Sequence, residues 1–291
     1  MATVGFIGVG VMGMPMALNV IRGGYEVRAF DVSPAALDVM RCHGASTVDS
    51  AGQAAEGAAF VVTMLPTGEH VAEAVFGPEG VAASLDPDSL LIDMSTGLPA
   101  RFDATARRLE DLGKTLMDAP VGRTSKEAEN GTLLIMVGGE AADVGRARPL
   151  LECMGDTIIH CGPRGTGIRT KLVNNYLSIV SNIVVAEALS IAEGAGLDRD
   201  KAIEVLMGTT AGRGHLATTY PAKVLAGDLE PGFMVDLALK DLHLALQLGA
   251  DSGSSRSMGT SALPFYESAS DRGMGRLDWT AIYNLVRDMS A

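Results

Sequence analysis

Cysteine is scarce: Cys42, Cys153 and Cys161 are the only three in 291 residues. They are odd in number and form no CxxC pair, which argues against a disulfide framework or a cysteine-rich zinc site and fits a reducing cytoplasm. The five histidines, His43, His70, His160, His215 and His243, show no ligand spacing, so no metal is expected. Aromatic residues make up 4% of the chain, and Tyr176 and Trp279 therefore read as packing residues rather than stacking platforms. Positive charge is also short, with 23 Lys and Arg against 35 Asp and Glu, a formal net charge of −12. Without a basic face, neither nucleic acid nor an anionic membrane is an expected partner. Long hydrophobic runs are lacking too. Residues 1–7 carry no basic leader, and the most apolar later stretch, 179–188, is broken by Ser181, Asn182 and Glu187, so no targeting or spanning segment is expected.

What remains is an ordinary globular composition, 47% hydrophobic and 20% charged, with length for one or two cores. Short apolar runs at 4–7, 27–30, 60–64, 90–94, 115–117, 132–137 and 157–160 read as strands. Helical spacing at 12–21, 34–42, 69–76, 99–112 and 142–154 separates them, which is the alternation of a mainly parallel sheet with crossover helices. After the glycine-rich stretch Gly162-Pro163-Arg164-Gly165-Thr166-Gly167 the strand signals fade. Residues 168–193 then keep helical spacing without proline, roughly 40 Å of helix at 1.5 Å per residue. Further helices are expected at 199–207, 235–250, 264–272 and 279–289. The sequence thus predicts an α/β domain of the Rossmann type over 1–163. It is followed by an all-α domain over 164–291, joined through a long interdomain helix.

Gly8, Gly10 and Gly13 form a GxGxxG between the first strand and first helix, where glycines permit a tight turn and the approach of a pyrophosphate to the helix N-terminus. In a chain with 35 glycines the bare pattern carries little weight; the strand before it, the helix after it and Asp31 ending the second strand give it force. Asp31 stands where a carboxylate would accept both adenosine hydroxyls and repel a 2′-phosphate, which favours NAD over NADP. Read alone, Asp31 could instead cap the Ser33-Pro34 helix. In the long helix, Lys171, Asn174, Asn175 and Ser178 fall at i, i+3, i+4 and i+7 on one face. Set in a helix built for burial, such a lysine can shift its pKa down and exchange a proton with a carbonyl or alcohol oxygen, with Asn174 or Asn175 orienting that oxygen. A solvated helix face has the same pattern.

Four stretches together, Gly8 to Gly13, Asp118-Ala119-Pro120-Val121, Gly167 to Asn175 and Lys240-Asp241, resemble the β-hydroxyacid dehydrogenase family in its own order along the chain. The resemblance implies a Rossmann domain with an all-helical partner, usually assembled as homodimers or homotetramers. It makes Lys171 the general acid/base, puts Val11 and Met12 on the pyrophosphate and Leu65 and Thr96 in the cofactor cleft, and brings Lys240 toward the nicotinamide. Lys171 also speaks against imine reductases, which share the architecture and usually replace this lysine.

One stretch departs from the family. Where most members carry Ser-Gly-Gly after Pro-Val, this chain has Gly122-Arg123-Thr124-Ser125. Gly122 makes room, Arg123 adds a guanidinium fork, and Thr124 and Ser125 add hydroxyls for an anion with several oxygens. With Asn174, Asn175 and Ser178, this is similar to the family branch that reduces 3-sulfolactaldehyde with NADH. The expected substrate is therefore a small C3 sulfonate aldehyde. A carboxylated one (succinic or tartronate semialdehyde, or 3-hydroxyisobutyrate in the oxidative direction) is the runner-up, and a non-catalytic NAD sensor is the reading from another class. Arg123 paired with a surface acid is the plainer alternative for that side chain.

Overall fold

The computed structural model describes residues 2–289. Internal contacts divide the chain into two units, one ending at Tyr176 and one starting at Leu177. The cut falls inside a helix rather than at the glycine-rich turn before it.

The first unit alternates strand and helix as β1 (Thr3–Ile7), α1 (Gly13–Arg22), β2 (Glu26–Phe30), α2 (Pro34–Cys42), β3 (Ser46–Thr47), α3 (Ala51–Ala55), β4 (Phe60–Thr63), α4 (Gly68–Phe76), α5 (Val81–Ser84), β5 (Leu90–Asp93), α6 (Pro99–Glu110) and β6 (Thr115–Asp118). These six strands are parallel, in the order β3-β2-β1-β4-β5-β6. There follow β7 (Val121–Gly122), α7 (Ser125–Asn130), β8 (Leu133–Gly138), α8 (Ala141–Leu151) and β9 (Gly155–Gly162). β8 is antiparallel to β6 and β7 and parallel to β9, so the sheet is parallel with a mixed extension.

Strand pleating sorts the apolar residues to two faces. Val4, Phe6, Val62, Leu90 and Ile92 enter one core with Met16 and Val20 of α1 and Leu150 of α8. Ile7, Val61, Leu91 and Leu116 enter the other, with Ala54 of α3, Val71 of α4 and Phe102 of α6. Burial on both faces is why β4 and β5 are apolar up to their last residues, Thr63 and Asp93, rather than alternating.

α9 (Thr166–Gly194) is one continuous helix of 29 residues. The second unit adds α10 (Arg199–Gly208), α11 (Thr210–Arg213), α12 (Val235–Asp251), α13 (Ser257–Ala269) and α14 (Ile282–Asp288). Its core is small, with Val235, Ala269 and Leu285 buried against Tyr266, Met274 and Ile282. Trp279 packs edge-on against Phe233 and His215. Tyr176, by contrast, is 71% exposed, so the packing expected of it is not made within the chain.

Two features differ from expectation. α13 starts at Ser257 rather than at 264, and Pro264 lies inside it, because Glu187 of α9 accepts the Met258 N–H at 3.0 Å and so caps the helix from far along the chain. Much of α9 is also not buried: Val173, Leu177, Ile179, Val184 and Val185 are exposed. By length and mean hydropathy (1.4) this helix could cross a bilayer, so composition alone does not exclude a spanning segment.

Candidate active site

The β1–α1 loop is shaped by steric demand. Gly8 has φ 91°, and a Cβ there would strike the Met64 carbonyl; a Cβ on Gly13 would strike the Gly8 carbonyl. Neither position admits a side chain. Gly10 is different, with nothing within 4 Å of its would-be Cβ, so bare backbone faces open space as a diphosphate needs.

Asp31 ties this loop to the end of β2. Its Oδ2 accepts the Val9 N–H at 2.8 Å and its Oδ1 accepts the Ser33 N–H at 2.8 Å. The cap of α2 is Ser33 itself, whose Oγ accepts the Ala36 N–H. Each Asp31 oxygen keeps a lone pair free for a hydroxyl donor. Asp31, Gly8, Gly10, Val11, Met12, Gly13 and Leu65 all line one cavity of about 790 Å³, within the size of small-molecule sites. The sequence reading missed the rest of its wall, including Asp49, Ser50, His70, Glu73 and Glu79. The available signal was the S-x-x-Q of Ser50 and Gln53. Ser50 Oγ accepts the Gln53 N–H at 3.2 Å, and Gln53 Oε1 accepts the Asp49 N–H at 3.0 Å, an N-cap with a glutamine reaching back to the residue before it, which starts α3 at the cavity edge. The cavity, its glycines and Asp31 fit the adenosine and diphosphate portion of a dinucleotide.

Leu65 is held in place by a buried relay. Its N–H donates to Ser95 Oγ at 2.9 Å, and the Ser95 N–H and the Thr63 hydroxyl both donate to Asp93 Oδ1, at 3.0 and 2.9 Å. Thr96, the next residue, is half-buried and lies outside the cavity wall. Burial pushes Asp93 up to about 6, against the pull of the Ser95 and Thr63 hydrogen bonds. A carboxyl raised in the folded state binds its proton more tightly there than in the unfolded chain. Its contribution to stability is therefore full below about pH 4 and lost as the pH rises through about 6. In Asp93→Asn, the amide oxygen at the Oδ1 position keeps both hydrogen bonds and no charge is left to desolvate. Urea denaturation should find it about 2 kcal/mol more stable than the parent at pH 8 and no more stable at pH 4. Equal destabilisation at both pH values would contradict this account.

Lys171 lies on α9, half-buried, and burial holds its ammonium below the ordinary lysine range. No described residue accepts a hydrogen bond from it. Asn175 is half-buried, whereas Asn174 and Ser178 are exposed, and Asn174 Nδ2 donates to Asn175 Oδ1 at 3.3 Å. The continuity of α9 puts all four on one face, as the spacing predicts. Lys240, in the second unit, is exposed and lies 3.0 Å from Asp241.

The 122–125 segment is arranged differently from expectation. Thr124 caps α7, and its hydroxyl and N–H both donate to Glu127 Oε2, at 2.6 and 2.9 Å; this hydroxyl serves the helix rather than standing open to a ligand. Ser125 is the first residue of α7, and Gly122 ends β7. Arg123 has φ 75°, in the left-handed region that side chains disfavour. Its guanidinium donates to Asp156 Oδ1 at 2.6 Å, to Thr157 Oγ1 at 3.2 Å and to the Thr132 carbonyl. Arg123 is thus paired with a surface acid, the plainer alternative for this side chain.

A family model described as the NAD binding domain of 6-phosphogluconate dehydrogenase matches residues 3–162. A second, described as NAD-binding of NADP-dependent 3-hydroxyisobutyrate dehydrogenase, matches 165–286. The chain is 45% identical to the 3-sulfolactaldehyde reductase of Escherichia coli over 99% of its own length and 96% of that protein. It is 35% identical to the human mitochondrial 3-hydroxyisobutyrate dehydrogenase over 98% of its length and 87% of that protein. Among solved structures, the 3-hydroxyisobutyrate dehydrogenase of Mycobacterium tuberculosis with L-serine matches with a TM-score of 0.70 and 36% identity, covering 99% of both chains.

Proposed function

The chain belongs to the β-hydroxyacid dehydrogenase family, typified by 3-hydroxyisobutyrate dehydrogenase, and is an oxidoreductase acting on CH–OH groups; from that premise we propose that it reduces 3-sulfolactaldehyde to 2,3-dihydroxypropane-1-sulfonate, reversibly, with NADH. NADH, when bound, supplies the hydride that goes to the aldehyde carbon. Lys171 gives its ammonium proton to the carbonyl oxygen and regains one from water. Burial lowers the pKa of that ammonium and so eases the transfer. Asn175 orients the oxygen, and Arg123, Ser125, Asn174 and Ser178 take the sulfonate.

The observation that carries the substrate class is the backbone of Arg123. The family resemblance implies glycine here, and a φ of 75° suits glycine; an L side chain costs about 1 kcal/mol in this region. An arginine at a strained position points to use rather than to fold. Its pairing with exposed Asp156 is a solvent-screened contact that an anionic substrate can replace. The resemblance to the Escherichia coli enzyme over the whole chain supports the same choice. Turnover of 3-sulfolactaldehyde and succinic semialdehyde decides it. The sulfonate is expected to be preferred at least tenfold in kcat/KM, about 1.4 kcal/mol, and a tenfold preference for the carboxylate would sink the reading.

NADH is preferred over NADPH in this proposal because Asp31, Asp49, Glu73 and Glu79 share the cavity wall, with no Lys or Arg among its lining residues. A 2′-phosphate placed there meets four carboxylates and neither a Lys nor an Arg. A homodimer or homotetramer is proposed to cover the exposed apolar side chains of α9, since a contiguous apolar surface of that kind is otherwise costly in water; sedimentation at the mass of a single chain would argue against it.

A further inference from the structure

The Asp118-Ala119-Pro120-Val121 stretch carries part of the family resemblance, yet the proposed chemistry gives Asp118 no task. We propose that Asp118 is a positioning residue for the reaction: its carboxylate caps α9 from the sheet and fixes where Lys171 stands. This rests on the reading of Lys171 as the proton donor.

α9 cannot cap itself. Gly165, the residue before it, has no side chain and a φ of 87°, and the Thr166 hydroxyl donates backward to the Pro163 carbonyl at 2.7 Å. The acceptor comes instead from the end of β6. Asp118 Oδ1 accepts the Gly165 N–H at 2.6 Å and Oδ2 accepts the Ile168 N–H at 2.7 Å. Two orphan donors of the first turn are thereby satisfied by one group. Asp118 is 1% exposed; burial raises its pKa, while hydrogen bonds from Gly165, Ile168 and Gly167 oppose that rise.

The seat is made of backbone. A Cβ on Gly138, at the end of β8, would lie 2.5 Å from Asp118 Oδ1 and 2.8 Å from the Gly167 nitrogen; a Cβ on Gly167 would lie 2.9 Å from Asp118 Oδ2 and against the Met136 carbonyl. With glycine on both sides, the helix start rests directly on the sheet, where the buried carboxylate holds its N–H groups, while at the surface Arg169 donates to the Gly165 carbonyl and to Asp103. Lys171 follows Ile168 by three residues, close to one helical turn. A slip of the helix start by one residue rotates every later side chain by about 100°, which takes the ammonium away from the reacting oxygen. The cofactor cavity is built from residues 7–80 and does not depend on that start.

Asp118→Asn tests the assignment, because it keeps one acceptor and turns an amide N–H₂ toward the other donor. Assayed with NADH against 3-sulfolactaldehyde and succinic semialdehyde, it should lower kcat about tenfold while the KM for NADH stays within about twofold. Amide exchange read by mass spectrometry should quicken over 163–172 and stay unchanged in β1 and β4. A kcat within about twofold of the parent overturns the proposal, as does a fall in kcat matched by an equal rise in the KM for NADH, the sign of a merely structural role. Should this variant fail to fold, Asp118→Ser, which removes an acceptor without adding an opposed amide, is read by the same criteria. In the parent protein the Gly165 and Ile168 amides must be protected, and exchange at unprotected rates overturns the assignment without any variant. Lys171→Met keeps the two ideas apart: if it is as active as the parent, the reading of Lys171 falls; if it is inactive and Asp118→Asn is fully active, only the positioning role falls.

Discussion

Replacing Lys171 with methionine is expected to lower kcat for aldehyde reduction about a thousandfold, the middle of the range for loss of a general acid, with NADH affinity unchanged within about twofold. Methionine keeps the apolar stem that occupies the half-buried slot on α9 and removes only the proton-bearing end. The cofactor cavity draws none of its wall from α9, which is why binding and turnover should separate. Steady-state kinetics with fluorescence titration of NADH check this. A loss of less than about tenfold would mean that water or another side chain delivers the proton. If the parent protein binds NADH and reduces no short aldehyde at all, the sensor reading gains instead.

The second large effect is selective rather than general. Arg123→Gly is expected to lower kcat/KM for 3-sulfolactaldehyde about a hundredfold, the loss of a charge-assisted fork worth about 2–3 kcal/mol, and to leave short uncharged aldehydes nearly unaffected. The same change should raise stability by about 1 kcal/mol, because the 75° φ becomes unstrained. Activity and stability therefore move in opposite directions, a result that a packing role for the arginine does not produce. Arg123→Lys should fall between, keeping charge without the planar fork. An equal loss for charged and uncharged aldehydes would remove Arg123 from substrate recognition.

The sequence made the architecture legible because strands buried on both faces are written as short apolar runs: β1, β4 and β5 were all readable in this way. The glycine loop and Asp31 were legible because their context repeats a known geometric need. Other features depend on contacts that a linear pattern does not carry. α3 has no apolar periodicity, only its Ser50 cap, so Asp49, Ser50 and Ala51 of the cavity wall went unseen. The start of α13 depends on Glu187, 71 residues before Met258. Thr124 did carry a T-x-x-E signature, and the structure spends its hydroxyl there on Glu127. The handedness of the backbone at Arg123 leaves no signal in the sequence itself.

That last feature has an evolutionary side. At residue 123 a change to glycine relieves strain, so drift runs toward glycine whenever nothing opposes it. On the proposed reading of Arg123, a lineage that stopped meeting anionic aldehydes would give up only the surface bonds to Asp156, Thr157 and the Thr132 carbonyl by losing the arginine, and would shed the backbone strain with it.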